Sequence, residues 1–312
     1  MGFYVYRKYD CKKVMILLDE YDAPLENAYL KDHWDAAAEF FGQFYKKTFK
    51  EIEFLGRALI TGINVIPKHS VNSSFNNSEP CTVLSPLYDD SFGFTQEEVD
   101  NVLREYGLFD KREEVKKWYD GYQFGRKKDM YNPWSICSMI VNREFEAYWW
   151  GTASNNIVSH VIKNGSFDLK DKFVTLLQGR SVTVKIEQEV TYDVLLDTEN
   201  SIWGLLVSCG YIKATERNGS ECKVSIVNHE VLKMMDTIVI SWFKKKNIPT
   251  SYDDFNEALI KGNEEKMQKH LSDLSLELVG SFDTANEENS KSVENFYHGF
   301  VLDWLFLHAT DL

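Results

Sequence analysis

The chain predicts an α/β fold, with a small parallel sheet at its N-terminal end and then a mainly helical region carrying a winged-helix-like β-hairpin. Three observations point there. Val14 to Leu18 form an apolar run too short for a helix and without helical periodicity, which suits a strand buried in a parallel sheet. "RALITG" (57–62) is a second short apolar run, ending in Thr61 and Gly62. Between the two, Trp34, Ala37, Ala38, Phe41, Tyr45, Phe49 and Ile52 recur at three- and four-residue spacing, the pattern of one long amphipathic helix or two abutting ones. Strand, helix, strand in this order is a crossover unit, which sets the two strands parallel.

The elements that follow are read in the same way. Residues 63–92 read as loop. Thr95 and Glu98 form a capping box ahead of Val99, Val102, Leu103 and Tyr106, and Gly107 stops that helix. Val115, Trp118 and Tyr119 belong to a further short helix. The stretch "WYDGYQFGRKKDMYNPWS" breaks helical pattern and is expected to pack as an ordered aromatic connector. "YIKATERNGSECKVSIVN" is a hairpin turning at Asn218-Gly219, flanked by helices at roughly 199–209 and 229–246. Beyond Pro249 a helical pattern resumes, "TANEENSKSVE" (284–294) is a loop, and "FYHGFVLDWLFL" is an apolar helix.

Composition excludes several classes. A net charge of −13 over 312 residues argues against a broad nucleic-acid-coating surface, although a local basic groove stays open. The 5 cysteines show no CxxC pairing, and the 7 histidines show no ligand spacing, so zinc, redox and catalytic His clusters have no sequence support. The opening residues lack a signal-peptide core and no run approaches a membrane span. A cytoplasmic protein with no membrane partner is expected.

The sharpest signal is "VMILLDEYD". An apolar strand ending in Asp-Glu is a Walker B pattern: Asp19 would hold Mg²⁺ directly or through water, and Glu20 would polarise the water attacking a γ-phosphate. The carboxyl end of a central parallel strand is where open α/β sheets bind ligands. Thr61, at the end of the next strand, is placed to sense the same phosphate. The same residues also suit a buried strand that simply leads into an acidic helix N-terminus. Asp19 and Glu20 would point to opposite faces in strand geometry, so only a turn there lets them converge. The glycine-rich phosphate cradle that such a site needs is absent from the 13 residues before Val14, and "GQFYKKT" (42–48) lacks its second glycine.

Several segments occur in order: "LLDEYDAPLENAYL", "ALITG", "DDSFGFTQEEV", "KKWYDGYQFG", "YNPWS", "YWWGTASNN", "SIWGLLVSCGYI", "VNHEV" and "ENFYHGF". Together they resemble the bacterial AAA-ATPase-like family, whose members usually carry a C-terminal domain of the PD-(D/E)XK nuclease superfamily. The resemblance covers nearly all of the chain from about residue 14. It implies Asp19 and Glu20 as the Walker B pair, Glu20 being catalytic, with Asp22 a further acid grouped with Asp19 as metal ligand. It implies Thr61 and Lys68 as cofactor-binding residues, with ATP and Mg²⁺ as cofactors. "WYDGY" and "YNPWS" match signatures of structural role, and "TASNN" (Ser154, Asn155) matches a further family motif. Three positions depart from the pattern: the Walker A segment is absent, Val65 replaces a basic residue, and Val227 replaces a proline.

The fold class implied is a remnant of a parallel-sheet P-loop-type ATPase domain over 1–94. A helical, winged-helix-like lid region follows over 95–248, and the helical start of a nuclease-like domain over 249–312. The expectation is the middle portion of a longer ATPase–nuclease, truncated at both ends and not an autonomous ATPase. The alternative is a non-enzymatic module that binds a protein or nucleic-acid partner through the hairpin, the aromatic connector and the basic residues Lys244 to Lys246.

Overall fold

Val14–Leu18 forms strand β1 and Leu55–Ile60 forms β2, paired in parallel with Met15 opposite Arg57 and Leu18 opposite Ile60. In this computed structural model the described residues are 2–50, 52–63, 78–149, 155–187, 192, 195, 197–244, 261, 263–266, 268 and 269. They fall in two compact units, Met1–Met235 and Asp236–Leu312. The described strands, the helices before His229 and the start of the helix His229–Lys244 lie in the first. In the second, the Asn263 side chain accepts from the Lys266 backbone N–H at 3.0 Å, an N-cap of the kind that starts a helical turn. The apolar segment "FYHGFVLDWLFL" lies outside the described residues.

A short helix, α1 (Gly2–Lys8), precedes β1, and the crossover is made by two helices, α2 (Ala23–Leu30) and α3 (Trp34–Phe49). They break at Lys31–His33, where Asp32 takes φ +58° and ends the first helical register. Leu25, Ala38, Tyr45 and Phe49 supply their buried side. The crossover is as the periodicity predicts, but the expectation of a strand buried on both faces is corrected. Val14, Ile16 and Leu18 are half-buried, whereas Met15 and Leu17 are 59% and 69% exposed, as is Leu59 at 56%. Among the described residues the sheet has two strands, with apolar packing on one side only. A continuous apolar run does not reveal this, because alternation is visible only when the open face is polar.

The middle of the unit is built on the capping box. Thr95 Oγ1 accepts from the Glu98 N–H at 3.3 Å and Glu98 returns a bond to the Thr95 N–H at 2.8 Å, starting α4 (Gln96–Glu105). Helix α5 (Arg112–Tyr119) follows. The aromatic connector is not irregular: it is an antiparallel hairpin, β3 (Asp120–Phe124) and β4 (Lys127–Tyr131), leading directly into α6 (Pro133–Asn142). Asn132 caps that helix by accepting from the Trp134 N–H at 2.9 Å, and Pro133 sits in its first turn, where a missing N–H costs nothing. Val99, Leu103, Val115, Tyr119, Tyr131, Ile136 and Met139 form one buried cluster across these elements. The rings of "WYDGY" and "YNPWS" are thus core and its rim.

Helices α7 (Asn155–Asn164) and α8 (Phe167–Leu177) come next, then a three-stranded antiparallel sheet. Its strands are β5 (Val182–Lys185), β6 (Ile212–Asn218) and β7 (Glu221–Ile226), in the order β5–β7–β6. Helix α9 (Glu199–Ser208) stands between β5 and β6, and α10 (His229–Lys244) follows β7. Both flanking helices fall where the sequence places them. The hairpin turn is displaced by one residue: Asn218 pairs with Glu221, so the loop is Gly219-Ser220, with glycine at φ +63° in its first position.

Candidate functional site

Strand geometry ends at Leu18, and Glu20 takes a left-handed backbone with φ +49°. The opposite-face problem therefore does not arise, because the turn that convergence requires is present. Asp19 and Glu20 are both exposed. The Asp19 Oδ1 atom accepts the Thr61 hydroxyl, and also the Glu20 backbone N–H at 3.1 Å; that N–H lies 3.3 Å from Thr61 Oγ1. Thr61 arrives there because the parallel ladder runs one residue past β2. Its N–H donates to Leu18 O at 2.9 Å, and the Tyr21 N–H donates to Thr61 O at 3.0 Å.

A non-glycine residue at positive φ costs about 1 kcal/mol, and such outliers gather where a site over-determines them. Glu20→Gly is therefore expected to raise stability by about 0.5 kcal/mol in urea denaturation, while removing the carboxylate. A loss of stability would mean that the Glu20 side chain supports the turn.

Asp22 is placed differently. It is 2% exposed, and its Oδ2 accepts the Ile63 N–H at 3.0 Å and the Tyr192 hydroxyl at 3.1 Å. It immediately precedes α2, where a negative charge is favoured by the helix N-terminus. The chain end it grips is tightly packed: a Cβ on Gly62 would lie 2.5 Å from Asp22 Oδ1 and 2.5 Å from the Tyr21 ring. On the other side the Tyr45 hydroxyl donates to the Tyr21 carbonyl. Burial, with the charge of Asp22 nearby, pushes the Tyr45 phenol up to about 12. Asp19, Glu20 and Thr61 are thus brought to one edge of the sheet, while Asp22 is turned into a buried cluster with Tyr192. Lys68 and Ser154 lie outside the described residues.

Among the described residues no three of His, Cys, Asp and Glu stand together as a metal cage. One exposed carboxylate at a sheet edge does suit Mg²⁺, which is held through one or two carboxylates together with waters and substrate phosphates.

Sequence reading passed over a second polar centre. Glu230, in the first turn of α10, is fully buried and accepts from Ser135 Oγ at 2.9 and 2.8 Å and from the Trp149 N–H at 2.9 Å. Burial pushes its carboxyl above the usual range, while the Trp149 N–H, the Ser135 hydroxyl and the Tyr148 N–H pull it back. It joins the segments "YNPWS", "YWW" and "VNHEV".

The β6–β7 hairpin carries mixed charge, with Lys223 paired to Glu216 at 3.1 Å, and every residue from Ser201 to Val207 of α9 is buried. No helix of the described residues is long and apolar enough to cross a membrane. Lys245 and Lys246 lie outside the described residues.

Compared with known proteins, residues 4–72 match the family model described as "Predicted AAA-ATPase", the segment that contains β1, β2 and the acid pair. A curated relative, an uncharacterized protein in the vnfD 5' region of Azotobacter chroococcum mcd 1, is 26% identical over 206 residues. That alignment covers 64% of this chain and 37% of the relative, so the chain spans little more than a third of its relative's length. No solved structure matches.

Proposed function

We propose that residues 14–63 supply the metal-and-water side of a Mg²⁺–nucleoside triphosphate hydrolysis site of AAA-ATPase type. The observation that carries this reading is the exposed Asp19 carboxylate at the carboxyl end of a parallel strand, oriented by Thr61 from the paired strand. The match of this same segment to a predicted AAA-ATPase family supports it. Bound Mg²⁺ would supply charge neutralisation at the β- and γ-phosphates. Asp19 would hold the cation, and Thr61, which donates to Asp19 Oδ1, fixes the rotamer of that carboxylate. Glu20, displaced from the strand by its left-handed turn, would take the proton of the attacking water. A backbone cradle and a lysine for the triphosphate complete such a site, and no residues described here are assigned to them. The strand order β5–β7–β6 with α9 inserted supports a winged-helix-like reading of the region that follows. Its buried α9 and mixed-charge hairpin favour a packing role there over groove binding.

Calorimetric titration of the chain with ATP, with and without Mg²⁺, tests the reading. Saturable heat that requires Mg²⁺, weakened at least about tenfold in Asp19→Asn and kept in Glu20→Gln, is the expected result. No heat at millimolar nucleotide overturns it.

A further inference from the structure

We infer that Asp22 is a positioning residue, a buried latch that fixes the Thr61-bearing end of β2 by bonding Ile63 and Tyr192 at once. This rests on the reading of Asp19 as the metal-facing carboxylate. It gives Asp22 a task different from the ligand role that the family resemblance implies.

Thr61 orients Asp19, and Thr61, Gly62 and Ile63 are consecutive. Asp22 holds the Ile63 N–H through both oxygens, at 3.0 and 3.3 Å. The backbone of that tripeptide therefore has three anchors: the Leu18 carbonyl on the Thr61 N–H, the Tyr21 N–H on the Thr61 carbonyl, and the Asp22 carboxylate on the Ile63 N–H. Close approach is possible only because position 62 has no Cβ. The third bond comes from far along the chain: Tyr192, 1% exposed, donates to Asp22 Oδ2 and packs between Tyr29 of α2 and Trp34 of α3. A carboxylate 2% exposed, with its oxygens already accepting three bonds, would have to leave all of them to reach an ion at the exposed Asp19. Partners that hold a ligand's own support are worth about 10- to 100-fold in metal affinity when removed. The latch also links the metal edge to the later half of this unit, since Tyr192 donates to Asp22.

The test is Mn²⁺ titration of the full 312-residue chain, with free Mn²⁺ read by electron paramagnetic resonance. The chains compared are the parent, Asp19→Asn, Asp22→Ala, Tyr192→Phe and the double variant. The expected result is loss of binding in Asp19→Asn and affinity about 10-fold weaker in Asp22→Ala. Tyr192→Phe should be about fivefold weaker, and the double variant no worse than Asp22→Ala. Abolished binding in Asp22→Ala with an unchanged Tyr192→Phe would make Asp22 a ligand and overturn the latch. Lowered melting temperatures with unchanged Mn²⁺ affinity in both would reduce it to a structural bond and overturn it as well. If Asp22→Ala does not fold, Tyr192→Phe alone decides by the same criterion. A parent chain without saturable Mn²⁺ binding would instead remove the metal reading on which the latch stands.

Discussion

Glu230→Ala is expected to destabilise the first unit by about 3 kcal/mol, measured by urea denaturation at neutral pH. The change strands two buried donors, Ser135 Oγ and the Trp149 N–H, that have been within 2.9 Å of the carboxylate. It also leaves a void in the packing between α6 and α10. The isosteric Glu230→Gln keeps an acceptor for those donors and separates the packing from the charge. Burial raises the folded-state value of this carboxyl above its ordinary 4.5. The native state therefore binds the proton more tightly than the unfolded chain does, and stability falls as pH rises from the ordinary value toward the raised one, then levels off. Glu230→Gln removes that slope. The neighbouring groups that face it, the phenols of Tyr119, Tyr122 and Tyr148, are all themselves pushed upward, so they stay neutral through this window. A parent whose stability is flat with pH from 4.5 upward, or a Gln variant that keeps the parent's slope, would show that the carboxylate is not the source.

Gly204→Ala is the other large effect. Position 204 lies in the middle of α9, where glycine is a poor helix former and alanine the best. Propensity alone therefore predicts stabilisation. The packing predicts the opposite: a Cβ there would fall 1.8 Å from the Glu187 carbonyl oxygen and 2.8 Å from its carbon, both backbone atoms. The Glu187 N–H is itself held by the Asn200 carbonyl at 3.1 Å, so the strand exit after β5 cannot simply swing away. A loss of about 3 kcal/mol is expected from this overpacking. A gain would mean that α9 and the chain after β5 do not approach as closely as the geometry has them.

These two sites show where the sequence was readable and where it was not. The crossover unit follows from local periodicity, and α4, α9 and α10 from periodicity and cap chemistry. In α4, α9 and α10 the residues that start the helix, Thr95, Thr198 and Asn228, also satisfy its first backbone groups. The hairpin β3–β4 was missed because its aromatic residues carry long-range packing that overrides the plain alternation expected of a strand. Helices α7 and α8 and strand β5 were passed over, although Ser166 caps α8 by accepting from the Leu169 N–H at 3.1 Å, a signal open to inspection. The open face of β1–β2 could not be read at all, since Met15, Leu17 and Leu59 look the same in sequence whether covered or bare.

The acid pair was legible because it sits at a change of composition, five apolar residues followed by carboxylates. The burial of the neighbouring Asp22 was not. Asp22 lies three places after Asp19 in the chain, yet it is buried and Asp19 is exposed. One of its partners, Tyr192, is 170 positions away. A contact of that range leaves no local pattern. Glu230 shows the same limit: its donors Ser135 and Trp149 come from segments that the tertiary fold brings to one point.

Hydrogen exchange of the chain with and without Mg²⁺–ATP tests the central claim most directly, followed by mass spectrometry of peptides covering 14–30 and 55–63. The account predicts slowed exchange in both peptides together, because Asp19, Glu20 and Thr61 share one edge, and no slowing in Asp19→Asn. Unchanged exchange in these two peptides, with or without protection elsewhere, would contradict it.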